Sequence, residues 1–121
     1  MATVSGIAFI MYPVTDMARA VAFYQDVLGM QKSGLDLEYW VEFEVAGTTF
    51  GIGTFEQVGK AGTAQSLSLE VADMTAFRAA LTEQKLESSE PFETPICFIS
   101  GVKDPDGNTV YLHQAKPATE G

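Results

Sequence analysis

Apolar residues recur with the spacing of a helix in some segments of this chain and with the spacing of a strand in others. The same series of segments occurs twice. Each series opens with an apolar run, at residues 7–14 and 67–71, that ends at a valine followed by Thr-Asp-Met or Ala-Asp-Met. Three- and four-residue spacing typical of helices follows, and then short runs with the two-residue spacing of strands. This pattern predicts an α+β fold of two tandem βαβββ units, whose curved mixed sheet surrounds one shared cleft.

Each unit is predicted to contain one helix that begins after an aspartate. Asp16 is a suitable N-cap for the first helix, and Gly29 is a suitable C-terminal stop. Asp73 is the corresponding N-cap for a helix at residues 74–85. The side chains expected to face the core are Ala20, Phe23, Tyr24, Val27 and Leu28 in the first helix, and Phe77, Ala80 and Leu81 in the second.

The strands are short and separated by turn residues. Ala46 and Gly47 predict a tight hairpin, residues 104–108 (Asp-Pro-Asp-Gly-Asn) predict a second turn, and residues 56–63 predict a connector. Strands are expected at residues 7–14, 31–35, 39–45 and 48–55, and again at 65–71, around 92, at 96–103 and at 109–114. The two modules would then occupy about residues 5–57 and 63–115 of a single domain, followed by a frayed tail after Gln114.

Alternation along each strand separates a helix-facing side from a cleft-facing side. The side chains predicted to face the cleft are Ile7, Phe9, Met11, Trp40, Glu42, Glu44, Thr49, Gly51, Gly53, Ser66, Ser68, Glu70, Thr109, Tyr111 and His113. Across the second turn, Gly101 should pair with Tyr111 and Ile99 with His113. Cys97 would then lie diagonal to His113.

Composition and charge exclude several classes of function. A hydrophobic fraction of 46% in 121 residues fits one folded domain, and no apolar run is long enough to span a membrane. The net charge of −9 disfavours nucleic acid and anionic membrane surfaces as partners. Cys97 is the only cysteine, which excludes an internal disulfide and a cysteine zinc cluster. A cytoplasmic location is expected.

Two motifs stand out in these positions. One is Val-Thr-Asp-Met-Ala-Arg-Ala at residues 14–20, continued by Phe-Tyr-Gln-Asp-Val-Leu-Gly at 23–29. The other is Asp-Pro-Asp-Gly-Asn at residues 104–108, before the final strand. Together they resemble the motifs of the glyoxalase, bleomycin-resistance and extradiol-dioxygenase superfamily, also called vicinal oxygen chelate proteins. The resemblance covers essentially the whole chain, and it implies the tandem βαβββ fold, a ligand cleft and a homodimer.

Enzymes of that superfamily hold a divalent metal ion with side chains on their first, fourth, fifth and eighth strands. The matching positions here are Phe9, approximately Gly51, Ser66 and Tyr111. None of them supplies the imidazole or carboxylate donors that a catalytic Zn, Ni, Fe or Mn ion needs. The resemblance therefore implies a member without the metal site and without a cofactor, similar to the bleomycin-type proteins that sequester a drug without transforming it.

The leading hypothesis is the binding of a small organic molecule in an apolar cleft. The predicted aromatic and thioether wall consists of Trp40, Phe9, Met11, Phe55 and Tyr111, with Ser66, Ser68, Glu42 and His113 as polar neighbours. A flat aromatic ligand fits such a wall. A cationic ligand would also suit the acidic chain, because Glu42 or Glu70 can pair with an amine.

Two other functions stay open. A lyase, isomerase or dioxygenase of the same superfamily would use His113, Glu42 and Glu70 to move protons. Cys97 diagonal to His113 resembles a nucleophile and base pair. A buried, inert cysteine is the simpler interpretation, since no third orienting group is evident. An accessory domain whose cleft contacts another protein would need none of these groups.

Overall fold

The computed structural model describes residues 2–117 and places eight strands in two four-stranded sheets. The first sheet contains β1 (Ile10–Pro13), β2 (Gln31–Asp36), β3 (Trp40–Val45) and β4 (Thr48–Gly53), in the order β1-β4-β3-β2. The second contains β5 (Leu67–Glu70), β6 (Phe92–Glu93), β7 (Cys97–Lys103) and β8 (Thr109–Ala115), in the order β5-β8-β7-β6. In each sheet the first strand pairs in parallel with the last, and the other pairs are antiparallel. The predicted tandem α+β arrangement is therefore confirmed.

The chain forms two compact units. The first runs to Ala64 and also includes Pro105–Asn108, and the second comprises Gln65–Asp104 and the chain from Thr109. The turn before β8 thus belongs with the first unit, because the buried Asn108 side chain accepts hydrogen bonds from Gly62 N and Ala64 N. That both units form a single domain stays a prediction.

The first helix begins and ends where the sequence predicts. The Asp16 carboxylate accepts a hydrogen bond from Arg19 N at 3.2 Å and caps α1 (Met17–Val21). The helix continues as a π-helical segment, Ala22–Val27, and Gly29 follows it with a φ of 77° that favours glycine. Of the predicted inward side chains, Ala20, Phe23 and Tyr24 are buried, whereas Val27 and Leu28 are half-buried.

The second helix, α2 (Met74–Glu83), has the predicted N-cap but a different buried stripe. Asp73 accepts a hydrogen bond from Ala76 N at 3.0 Å. Met74 and Leu81 are buried and Phe77 is half-buried, but Ala80 is exposed. The prediction for Ala80 is wrong because this position lies about 100° around the helix from Leu81, outside the core-facing stripe.

The first strand is shorter than predicted. Ile10 pairs with Phe50, so continuing the register would place Ile7 opposite Gly47, in the hairpin that precedes β4. Ile7 therefore has no strand partner and is 78% exposed, while Phe9 and Met11 are 45% and 37% exposed. The predicted start of this strand at residue 7 is therefore wrong.

The turns and the pairing of the last two strands follow the predictions. Ala46 and Gly47 have φ values of 48° and 88°, as a two-residue hairpin turn requires. Gly101 pairs with Tyr111 and Ile99 with His113. Strand β8 extends one residue beyond the predicted end at Gln114, and the predicted tail lies mostly outside the described residues.

The described part of the chain contains no helix that is long and apolar enough to cross a membrane.

Candidate functional site

The first unit contains a concave pocket of about 470 Å³. Its lining consists of seven apolar or aromatic side chains and one carboxylate: Phe9, Met11, Leu35, Leu37, Tyr39, Trp40, Phe55 and Glu42. They come from β1 and the residue before it, from β2 and its connection to β3, from β3 itself and from the segment after β4. A volume of this size with a mainly apolar lining and few polar groups is typical of small-molecule sites.

Trp40 forms the floor of this pocket. Its side chain lies against β4, where Gly51 and Gly53 leave room for the indole ring. A Cβ atom on Gly51 would collide with the six-membered ring of Trp40, and one on Gly53 would lie 3.0 Å from Trp40 Cε3. Only 8% of Trp40 is exposed, so the ring is held largely within the protein.

Other aromatic rings continue the wall on both sides of Trp40. Phe9 meets the indole edge-on, with 5.5 Å between ring centroids, and Phe55 lies 5.9 Å from it. Tyr39 in turn contacts Phe55 at 6.0 Å. Such tilted and edge-on contacts are the favourable geometries for aromatic pairs.

Glu42 is the charged side chain of the lining, and the protein itself uses both of its carboxylate oxygens. One oxygen, Oε2, accepts a hydrogen bond from Trp40 Nε1 at 3.0 Å. The other, Oε1, accepts one from the backbone N–H of Leu35, also at 3.0 Å. Gly34 approaches the same oxygen closely, with a φ of 89°. A single side chain therefore connects the floor of the pocket to the wall formed by β2.

The pocket brings together part of the predicted site and adds three residues that sequence reasoning missed. Phe9, Met11, Trp40, Glu42 and Phe55 are predicted site residues that line it. The missed lining residues are Leu35, Leu37 and Tyr39. Their signal was present, since these three apolar positions alternate with Asp36 and Glu38 at the two-residue spacing of a strand.

The other predicted site residues lie in the second unit. Ser68 pairs with Tyr111 and Glu70 with His113 in the parallel β5–β8 ladder, so these four side chains share one face of that sheet. Alternate residues of the same two strands, Leu67, Val110 and Leu112, are buried on the opposite face. Ser66 is exposed and immediately precedes β5.

Glu70 and His113 form a carboxylate–imidazole pair on this face. Glu70 Oε1 lies 2.5 Å from His113 Nδ1, and Glu70 Oε2 accepts a hydrogen bond from Ala115 N at 2.8 Å. The Ala115 N–H, followed by the His113 hydrogen bond, lowers the pKa of the Glu70 carboxyl below its ordinary value. An imidazole oriented in this way through Nδ1 can exchange a proton through Nε2.

Cys97 is not arranged as a nucleophile beside this histidine. Its buried Sγ lies 3.0 Å from Thr94 Oγ1, and the described hydrogen bond of His113 is to Glu70. The sequence placed Cys97 diagonal to His113 correctly, but the structure gives the thiol a different partner.

The residues present do not fit the divalent metal ion of the metalloenzymes that the chain resembles. Within residues 2–117, no three or more His, Cys, Asp or Glu side chains are grouped as a metal ion would require. Of the positions that match metal ligands, Phe9 lines the aromatic pocket, and the space above Gly51 is filled by the Trp40 ring. Ser66 and Tyr111 offer hydroxyl groups in place of carboxylate or imidazole donors.

Comparison with known proteins gives a family for this architecture. The sequence profile of the Glyoxalase/Bleomycin resistance protein/Dioxygenase superfamily matches residues 6–112, which is most of the chain. No curated protein gave a significant match to the sequence.

Solved structures of similar fold cover nearly the whole chain. TnmS3, an antibiotic binding protein from Streptomyces sp. CB03234, is 24% identical, with a TM-score of 0.83 over 96% of this chain and 100% of that one. A glyoxalase/bleomycin resistance protein from the same organism is 26% identical, with a TM-score of 0.76 over 90% of this chain and 100% of that one. A lactoylglutathione lyase from Agrobacterium tumefaciens is 16% identical, with a TM-score of 0.78 over 93% of this chain and 96% of that one.

Proposed function

Because the chain belongs to the Glyoxalase/Bleomycin resistance protein/Dioxygenase superfamily, we propose that it binds a small aromatic molecule and sequesters it unchanged, without a metal ion. The observation that carries this proposal is the aromatic pocket around Trp40, with its apolar lining and its volume of about 470 Å³. Phe9, Gly51, Ser66 and Tyr111, at the positions that match metal ligands, carry no imidazole or carboxylate, which supports binding without chemistry on a chelated substrate. TnmS3 is described as antibiotic binding, which agrees with this proposal, although a 24% identity shows the fold alone.

A titration with a planar aromatic probe tests this function. Trp40 is the only tryptophan, so intrinsic indole fluorescence reports on the pocket alone. Acridine should quench this fluorescence saturably and should raise the melting temperature, because a ligand that binds the folded state stabilises it. In the Trp40→Ala variant, followed by the thermal shift, affinity should fall by about tenfold or more, since an aromatic stacking contact contributes roughly 0.5 to 1.5 kcal/mol beyond its buried area.

The matched control is Phe92→Ala. Phe92 is an exposed aromatic residue of β6 in the second unit and does not line the pocket. This variant should bind acridine like the wild type. Equal affinity in the wild type and Trp40→Ala, or no hit from a broad library of flat compounds, would contradict the proposed function.

We further propose that the protein is a cytoplasmic homodimer. Strands β1 and β2 are the edges of the first sheet, and the segment before β1 exposes Val4 and Ile7. Uncovered sheet edges and exposed apolar side chains are commonly buried by a second subunit. The single free thiol, Cys97, suits a reducing compartment.

The Glu70–His113 pair supports a second candidate function, an acid–base reaction of the lyase or isomerase type. The support is the 2.5 Å contact that orients the imidazole. If the protein is such an enzyme, His113→Ala and Glu70→Gln should lower turnover of a substrate by about a hundredfold or more. If it only sequesters ligand in the aromatic pocket, both variants should leave acridine affinity unchanged.

A further inference from the structure

We infer that Glu42 is a positioning residue that fixes Trp40 and the β2 wall, so that the pocket recognises the planar apolar surface of its ligand and not the ligand's charge. This inference rests on the proposed function, because it concerns how the same pocket selects its ligand. It replaces the expectation that Glu42 pairs with a ligand amine or acts as a base.

The first argument is the use of the carboxylate. Both oxygens already accept hydrogen bonds from N–H groups of the protein, one from Trp40 Nε1 and one from Leu35 N, each at 3.0 Å. Losing either bond would leave a donor without its partner, which is costly where water is partly excluded. Glu42 therefore stabilises the arrangement of the pocket in the ligand-free protein.

The second argument is the shape of β2. Lys32 pairs with Phe43 and Asp36 pairs with Val41, so three residues of β2 oppose Glu42 alone. This is a bulge, which leaves part of the strand without ladder hydrogen bonds. The Glu42 side chain supplies the missing acceptor for Leu35 N, and Gly34, lacking a side chain, admits the carboxylate.

The bulged segment matters because it carries part of the pocket wall. Leu35 and Leu37 line the pocket, yet they are 53% and 39% exposed, so packing alone holds them weakly. The hydrogen bond from Leu35 N to Glu42 fixes the start of this wall relative to Trp40. Without this hydrogen bond, the distance between Trp40 and the wall that carries Leu35 would no longer be fixed at a value that suits a flat ring.

The test compares two probes of similar shape and different charge in mildly alkaline buffer: acridine, which is uncharged, and 9-aminoacridine, which is a cation. Glu42→Gln should weaken both probes by the same factor, about tenfold or more, because the amide nitrogen that replaces one carboxylate oxygen is a donor and cannot accept a hydrogen bond from Trp40 Nε1 or Leu35 N. Glu42→Asp keeps the charge but is one methylene shorter, and it should also weaken both probes. The control is Glu44→Gln, which makes the same charge change at an exposed position two residues along β3, outside the lining.

Ligand-free Trp40 emission provides a readout that does not depend on the probes. Glu42→Gln should shift this emission to longer wavelength than in the wild type and Glu44→Gln, because the indole becomes more mobile and more hydrated. Circular dichroism verifies that each variant is folded.

The outcomes separate the inference from the proposed function. If Glu42→Gln weakens only 9-aminoacridine, and Glu42→Asp restores that binding, Glu42 is a cation partner and the inference is overturned. Unchanged Trp40 emission together with unchanged affinities would also overturn it. If the wild type binds neither probe while the Trp40 emission of Glu42→Gln shifts as expected, the proposed function fails but the positioning role stands.

Discussion

Asn108 joins separate stretches of backbone through one fully buried side chain. Its Oδ1 accepts hydrogen bonds from Gly62 N at 2.9 Å and Ala64 N at 3.2 Å, and its Nδ2 donates to Pro13 O at 2.7 Å. An amide side chain carries its acceptor and its donor on two separate atoms, so it can bond to backbone groups on different sides at once. The asparagine that ends the Asp-Pro-Asp-Gly-Asn turn therefore anchors the end of β1 and the connector within the first unit.

Asn108→Asp should destabilise the protein although the two side chains have nearly the same shape. The carboxylate cannot donate to Pro13 O and places a charge beside that carbonyl, so the free energy of unfolding should fall by about 2 to 3 kcal/mol. Urea unfolding measures this change. Gln65→Glu makes the same amide-to-carboxylate change at an exposed position and should have little effect; equal losses in both variants would contradict the anchoring role.

Glu70 should make stability depend on pH in a defined direction. Its pKa is lowered in the folded protein by the Ala115 N–H and then by His113. The carboxylate therefore contributes stability above the ordinary pKa of glutamate, and this contribution is lost as pH falls through the lowered pKa.

Unfolding of the wild type and of Glu70→Gln across the acidic range tests this dependence. The two unfolding free energies should differ near neutral pH and converge under acidic conditions, where Glu70 is protonated. Glu87→Gln, at an exposed position, should keep the wild-type pH dependence. Parallel curves for the wild type and Glu70→Gln would show that the contacts of Glu70 do not stabilise its charged form.

At the scale of elements, the pairing of β3 with β4 decides where the pocket floor lies. Gly51 leaves space that the Trp40 ring fills, and a methyl group there would collide with that ring. Gly51→Ala should therefore displace Trp40 and weaken acridine binding by about tenfold, the size expected from overpacking of 1 to 3 kcal/mol.

The control for this substitution is the glycine of the second sheet, Gly101. A Cβ there would be 3.4 Å or more from Thr109 and Tyr111, which is ordinary contact. Gly101→Ala should leave the titration curve and the Trp40 emission unchanged. If Gly51→Ala also leaves both unchanged, the position of Trp40 does not depend on the space that Gly51 leaves on β4.

The helix caps and the Ala46-Gly47 turn could be predicted because they depend on neighbouring residues. The start of β1 could not, since it is determined by where its partner β4 begins, a contact about 40 residues away along the chain. Residue alternation groups Leu35 with Leu37 and Tyr39, but it does not reveal the β2 bulge or the hydrogen bond to Glu42 that hold Leu35 at the pocket. Periodicity predicted that Trp40 and Glu42 share one face of β3, but it did not predict the hydrogen bond between their side chains.

At the scale of the whole molecule, the proposed homodimer should form at micromolar concentration. Ile7→Asp should weaken it by about tenfold or more, because a buried apolar contact would be replaced by a charge in a chain of net charge −9. Thr3→Asp adds the same charge to the same exposed segment without removing an apolar side chain, and it should have a smaller effect. Analytical ultracentrifugation measures both; a wild-type monomer throughout that range would refute the dimer.

The aromatic pocket as a ligand site is tested most directly by a nuclear magnetic resonance titration with acridine. The chain has one indole, so its Nε1–H signal reports on Trp40 without ambiguity. Binding in the pocket should shift this signal saturably, together with the backbone signals of Leu35 and Met11, and should leave those of Glu70 and His113 in place. Saturable binding that shifts the second set and leaves the Trp40 indole unmoved would contradict the account.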